Sequence, residues 1–329
     1  MADISRREFF RKTATDVAVA GFLAAAGGAT LRANPLGVPI GSQTYPHRAR
    51  IQSGEFAGLL KDMKAIGIEV IELCNPTYNE FKNLTDGKQT RKIVDDNGMK
   101  CLSAHFQMNS LRNDLPKQIE WAHDLGMTQM STASLGGRVT NGMTTLEEVK
   151  RAADEYNKIG AAAKKAGLQQ ALHNEGFENS KLEDGRLTYP VLLEYLDPDL
   201  VKMQFQMSSM RTVGDPIMYF MNHPGRFISA HLQGVDTTQG MQASRAGIPP
   251  VKPTPEEAAA AAAAGGRGRG QGGGRGQGGG GGGLAVGEDT VDWTKVFTAA
   301  KTAGLKNYFV EQSWDLTVKS VAFLKTLNV

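Results

Sequence analysis

The 329-residue chain is predicted to fold as a single (β/α)8 barrel. Three observations lead there. From residue 38 onward, strand-like and helix-like segments alternate strictly, eight of each. Helical segments end on glycine immediately before a strand, at Gly67, Gly98, Gly126, Gly167 and Gly304, the residue that best leaves a helix through a left-handed conformation. The segment after the first strand, SQTYPHR (42–48), lacks the glycine-rich phosphate loop expected of the rival open, doubly wound sheet. Strict alternation implies a parallel sheet with right-handed crossovers, and eight units close it.

The strands are expected at VPIGSQTY (38–45), IEVIELC (68–74), MKCLSAHF (99–106), MTQMSTA (127–133), LQQALHNE (168–175), LVKMQFQM (200–207), RFISAHLQ (226–233) and LKNYFVEQ (305–312). The helices between them are expected at 56–67, 78–97, 115–126, 146–167, 189–196, 215–224 and 293–304, with the last at 316–327. Two regions stand apart. SRREFFRK (5–12) precedes a weakly apolar Ala/Gly-rich run to Ala33, which resembles a twin-arginine export signal over residues 1–33. The run is too short and glycine-rich to span a membrane, so a periplasmic or otherwise exported chain without stable membrane insertion is expected. The barrel then occupies 38–329. Within it, residues 253–283 form a low-complexity Ala, Gly and Arg insert after strand seven, expected to be disordered because it can bury too little apolar surface.

Charge and cysteine content exclude several classes. Residues 1–33 carry five of the 37 basic and three of the 34 acidic residues, so the remainder is close to neutral and argues against a nucleic-acid partner. The insert does not change this: Arg267, Arg269 and Arg275 face Glu256 and Glu257 in the sequence. Cys74 and Cys101 are too few for a disulfide framework and have no zinc-ligand spacing; both are read as buried thiols.

In a parallel barrel the reactive groups come from the C-terminal ends of the strands. Those ends supply Gln43, Glu72, His105 with Gln107, His173 with Asn174 and Glu175, Glu178 just beyond, Gln204 and Gln206, His231 and Gln233, and Glu311. Strand four offers nothing ionisable. Bland readings stand beside the functional ones: His105 as a satisfied core histidine, His173 as a rim hydrogen-bonder, Glu72 as half of an ion pair. Glu311 is harder to explain structurally, since an acid ending the central strand YFVEQ is costly unless something compensates it. His47 borders the expected mouth; His123 and His223 fall on a helix and a turn. An oxygen-rich site with imidazole suits Mn, Mg, Co or Zn, and such an ion stabilises an enediolate while a carboxylate moves a proton.

The segments IGSQTYPHR, IELC, SAHF, ALHNEGFE, DPDLVKMQFQM, HPGRFISAHLQ, DTVDWTKVF and NYFVEQS together resemble the sugar phosphate isomerase/epimerase family, the xylose isomerase-like barrels. That resemblance implies a carbohydrate isomerase or epimerase holding one divalent metal ion (Mn, Mg, Co or Zn) on Glu178, Gln206, His231 and Glu311. Glu178 and Glu311 would be the catalytic acid/base pair, with Glu72, His105, His173, Gln204 and Gln233 contacting a small-molecule carbohydrate. Three departures are visible. Gln206 stands where the family has an acid. His173-Asn174-Glu175 replaces His-Asn-His, which brings a further acid, Glu175, nearby. Gln233 replaces a lysine. With that lysine missing and only Arg48, Arg138 and Arg211 as loop cations, an unphosphorylated sugar or glycoside is expected. The same proton chemistry would also serve a keto-glycoside lyase or hydratase, and a catalytically silent sugar-binding barrel is the non-enzymatic reading.

Overall fold

A computed structural model describes residues 34–132, 137–176, 179–209, 213–236 and 283–329. The expected export signal, nearly all of the expected insert (253–282), Glu178 and Arg211 lie outside the described residues.

Eight parallel strands close into a barrel: β1 (Gly41–Gln43), β2 (Val70–Cys74), β3 (Lys100–His105), β4 (Gln129–Thr132), β5 (Gln169–His173), β6 (Val201–Gln206), β7 (Phe227–Leu232) and β8 (Asn307–Val310). Each pairs with its sequence neighbours, and β8 closes the ring against β1. The expected fold and strand order are therefore observed, with strand ends zero to three residues inside the expected ones. The backbone pairing is nearly continuous, with register shifts at Ile71/Glu72 and Met203/Gln204. Both shifts fall beside residues whose side chains turn into the barrel.

The helices form where the periodicity places them, and short polar side chains start them. Asp86, Thr145, Asp215 and Asp292 each accept a bond from a backbone N–H of the first turn, satisfying donors the helix itself cannot pair. The five glycines expected to stop helices all take positive φ, from 64° to 96°. Two segments differ from expectation. The stretch 78–97 divides into a 3-10 helix, Asn79–Leu84, and an α-helix, Gly87–Asp96. The helix expected at 115–126 is preceded by another segment, so that the whole runs Met108–Asp124 with a break at Asp114. Pro116 explains that break: it has no N–H to give the preceding turn, and it disfavours helical geometry just before it. A two-stranded sheet outside the barrel, Met143–Thr144 with Lys181–Leu182, has too little periodicity to be read from sequence. Neither cysteine forms a disulfide and both are buried, as expected.

The connection after β7 leaves and re-enters the described structure at one place. Gly234 bridges Leu284 in antiparallel fashion, Val235 donates to Asp289 and the Gln312 side chain donates to the Leu284 carbonyl. Strand β1 is held as tightly. A Cβ on Gly41 would lie 2.5 Å from the Tyr308 carbonyl oxygen and 2.6 Å from the Phe309 ring, so only glycine lets β1 and β8 approach. Gly41→Ala should destabilise the protein by about 1–3 kcal/mol, measured as a lower urea midpoint with unchanged slope.

Candidate active site

The inside of such a barrel is ordinarily a packed layer of branched apolar side chains. Here its C-terminal half is polar. Gln204 on β6 donates 2.8 Å to Glu72 on β2, and these strands stand opposite each other in the ring. The bond therefore crosses the barrel. The same amide donates to Ser229 on β7 at 2.9 Å, and its oxygen accepts from His105 Nε2 on β3 at 3.0 Å. Glu72 takes two further partners on its other oxygen: His231 Nε2 at 2.6 Å and His105 Nε2 at 3.0 Å. Below them Ser103 and Ser131 pair at 3.1 Å. Glu72, Gln204, His173 and His231 are wholly buried.

One step toward the mouth, Glu311 follows β8 with its side chain 12 % exposed. Its Oε2 accepts from Gln206 Nε2 at 2.8 Å, Gln233 Nε2 at 3.1 Å and His231 Nδ1 at 3.2 Å. The Gln206 backbone is fixed in turn by Asn174, whose Oδ1 accepts from its N–H at 2.8 Å. The alternation of KMQFQM thus puts both glutamines inside the barrel, two residues apart, each with its amide N–H₂ against a different glutamate. Reversing either amide would set oxygen against carboxylate oxygen.

Charge inside this cluster is balanced by the histidines. Burial alone would raise the Glu72 carboxyl, but His105 and His231 outweigh it and hold the group well below the usual carboxylate range. Burial also opposes a charge on His231. Glu72 and then Glu311 overcome that and push the ring up to about 10, so it donates from both nitrogens. His105 is raised as well, against its burial, chiefly by Glu72. Glu311 is lowered: His231 and the Gln206 amide outweigh desolvation. His173 goes the other way, driven well below its ordinary value by burial and by the charges of His231 and His105.

Of the nine residues expected at the site, Glu178 lies outside the described residues, and the cluster brings together seven of the other eight: Glu72, His105, His173, Gln204, Gln206, His231 and Glu311. Gln233 joins it through Glu311. Glu72 and Gln204 were expected to meet substrate hydroxyls; their polar atoms are instead consumed inside the cluster, where they hold His105 and His231. His47, left open by the sequence, is buried after β1 with its ring edge-on to Trp314, centroids 5.8 Å apart. Asn174, named from the sequence only as part of a strand end, and Ser229, which sequence reasoning passed over because it does not ionise, are positioning residues. Of the loop cations, Arg48 stacks over Tyr45 at 4.4 Å and pairs with Glu80 at 3.7 Å, and Arg138 lies exposed. Among the described residues no lysine or arginine joins the cluster's hydrogen bonds or ion pairs.

The donor chemistry can be tested against a metal ion. One ligand atom from each of His105, His173 and His231 lies within 4.8 Å of the others, all buried. Both ring nitrogens of His173, and Oε1 of Gln206, are buried with no hydrogen-bond partner among the described residues. Three imidazoles, one holding unused lone pairs, form a group that could bind a metal.

Neither a protein-family model nor a curated protein matches the sequence. Solved structures do. A sugar phosphate isomerase/epimerase from Parabacteroides distasonis ATCC 8503 superposes with a TM-score of 0.63 at 18% identity, covering 92% of this chain and 97% of its own. The probable 3-DHS dehydratase AsbF of petrobactin synthesis from Bacillus anthracis gives 0.60 at 12%, covering 87% and 98%. The IOLI protein with a bound zinc atom gives 0.54 at 12%, covering 88% and 94%. The chain shares with them the (β/α)8 barrel fold. At these identities the likeness concerns fold alone.

Two outcomes follow from the electrostatics. Glu72→Gln keeps the side-chain shape but leaves His105 without a counter-charge and His231 with Glu311 alone, and should cost about 3–5 kcal/mol at pH 7, read from urea unfolding. His47 is held neutral by burial, then by Arg50, with its pKa lowered to about 4. The unfolded chain takes up that proton first. The stability this neutral ring contributes is fully present above pH 6.5 and is lost as pH falls through 4, by about 3 kcal/mol. A His47→Phe variant should lose less stability than wild type between pH 7 and pH 4.

Proposed function

We propose that the protein is a carbohydrate isomerase or epimerase that moves a proton next to a sugar carbonyl. The observation that carries this reading is Glu311. It is an ionised carboxylate at the mouth of the barrel, held in place by three donors on one oxygen and backed by a buried histidine–glutamate pair. A base so fixed does not reorganise when its charge changes.

In this reading Glu311 removes the proton from the carbon beside the carbonyl, and the C–H electron pair passes into an enediolate. Glu178, the second acid/base group that the family resemblance implies, completes the exchange. Returning a proton to the neighbouring carbon gives the isomer; returning it to the other face gives the epimer. His231 donates from both nitrogens, to Glu311 and to Glu72, so the arriving proton stays on Glu311, beside an imidazole whose position is fixed from behind. His105, His173 and Gln233 are the groups placed to orient substrate hydroxyls, while Gln206 and Gln233 keep the Glu311 carboxylate aimed. A divalent ion, when bound, polarises the carbonyl and stabilises the enediolate. The resemblance would hold it on His231 and Glu311 with Gln206 and Glu178. The scarcity of cations around the cluster favours an unphosphorylated sugar or a glycoside. Residues 1–33, read as a twin-arginine signal, would place this activity in the periplasm.

The test is exchange in D2O. The protein, supplied with Mn, Co or Zn, is incubated with pentoses, hexoses and 3-keto-glycosides, and deuterium at the carbon beside the carbonyl is followed by NMR. Exchange with conservation of substrate mass is expected, and Glu311→Gln should slow it about 10²–10⁴-fold. Release of an aglycone would identify a lyase on the same site. Saturable sugar binding with no exchange under any condition would overturn the enzymatic reading.

A further inference from the structure

The ligand set implied by resemblance is oxygen-rich, but the described site does not present its oxygens that way. Gln206 turns its amide N–H₂, not its carbonyl, toward Glu311. The Glu311 oxygen nearest His231 is already occupied by three donors. The nitrogen-rich half of the cluster has the opposite character. The rings of His105, His173 and His231 gather with centroids 4.9, 5.1 and 4.3 Å apart. They come from β3, β5 and β7, so rigid strands hold each one.

We infer that the divalent ion of this site is held by the three imidazoles of His105, His173 and His231, and that it is zinc or cobalt rather than magnesium. The inference rests on the proposed function only in taking that ion to serve the same mouth.

Three features carry it. First, His105 and His231 each set Nε2 against Glu72. A carboxylate behind an imidazole is the arrangement that orients metal-binding histidines and raises their basicity; here one buried glutamate serves two of them, and His231 would bind through Nδ1 by giving up that proton and its 3.2 Å contact to Glu311. Second, His173 is wholly buried and neither of its nitrogens has a hydrogen-bond partner among the described residues, with Glu175 standing 3.8 Å from Nε2. An imidazole left so in a barrel interior is costly, and coordination would occupy the lone pair of its unprotonated nitrogen. Third, the required movement is small. Nitrogens bound at about 2.0–2.1 Å in a tetrahedral shell stand roughly 3.3 Å apart, so ligand atoms now within 4.8 Å close by at most about 1.5 Å. Imidazole donors favour zinc and cobalt over magnesium, which takes oxygen. A sugar oxygen would complete the shell.

The choice of ligands has a functional consequence. An ion on the histidines leaves Glu311 and its amide donors intact as a base, whereas the oxygen-rich set uses the same carboxylate as ligand and base together.

The experiment is X-ray absorption spectroscopy on the full chain loaded with one equivalent of zinc, with metal content measured by mass spectrometry after dialysis. Three imidazoles per zinc and about one ion per chain are expected. His173→Gln and His105→Gln should each weaken retention at least tenfold, and Gln206→Met should leave it unchanged. Thermal melts in the absence of metal would separate lost ligands from lost fold. A shell with a single imidazole, loss of zinc in Gln206→Met, or a native protein that retains no zinc would overturn the inference. Deuterium exchange, run separately, reports on the proposed reaction: exchange without a three-imidazole shell rejects the ligand assignment alone, and a three-imidazole shell without exchange rejects the reaction alone.

Discussion

A carboxylate sealed in the centre of a barrel is the constraint on which the rest of this site depends. Glu72 has no contact with water, and a buried charge of that kind persists only when it is paired and hydrogen-bonded on all sides. The structure meets this from three other strands. Gln204 reaches it from the opposite side of the ring, His231 and His105 from either flank, and Ser229 anchors the amide that does the reaching. Because these bonds cross the interior, they fix the relative positions of strands that do not pair with each other. Removing the charge would therefore loosen the geometry of the mouth, beyond the loss of one ion pair.

The glutamines on β6 take their meaning from that constraint. An aspartate at 204 or 206 would add a negative charge within hydrogen-bonding distance of a glutamate. An amide supplies a donor in the same place without charge. Gln204 serves the buried glutamate and Gln206 the one at the mouth, so a single strand braces both carboxylates. His231 joins the two layers, with one nitrogen on Glu72 and the other on Glu311.

The architecture was largely legible in the sequence because it rests on local signals. Alternating periodicity and glycines at helix ends marked each β/α unit, and eight of them admit one closure. The split of Met108–Asp124 at Asp114 was missed because the apolar spacing before Pro116 is weak. The site was legible as a set of residues, since strand ends in such a fold converge by construction. Its internal wiring was not. Whether Gln204 touches substrate or Glu72 depends on a contact across 132 positions of sequence, and no local pattern encodes it. Ser229 escaped notice and Asn174 was given no role for the same reason: their importance lies in what they hold.

The central claim, that Glu72 is charged and keeps His231 doubly hydrogen-bonded between two carboxylates, is open to a direct measurement. Nitrogen NMR of the histidine rings, on chelator-treated protein across pH 6 to 11, reports the protonation of each ring nitrogen. The account predicts that His231 carries hydrogen on both nitrogens at neutral pH and titrates only near 10. A neutral His231 ring at pH 7.5, with a single protonated nitrogen and a midpoint near 6.5, would contradict it.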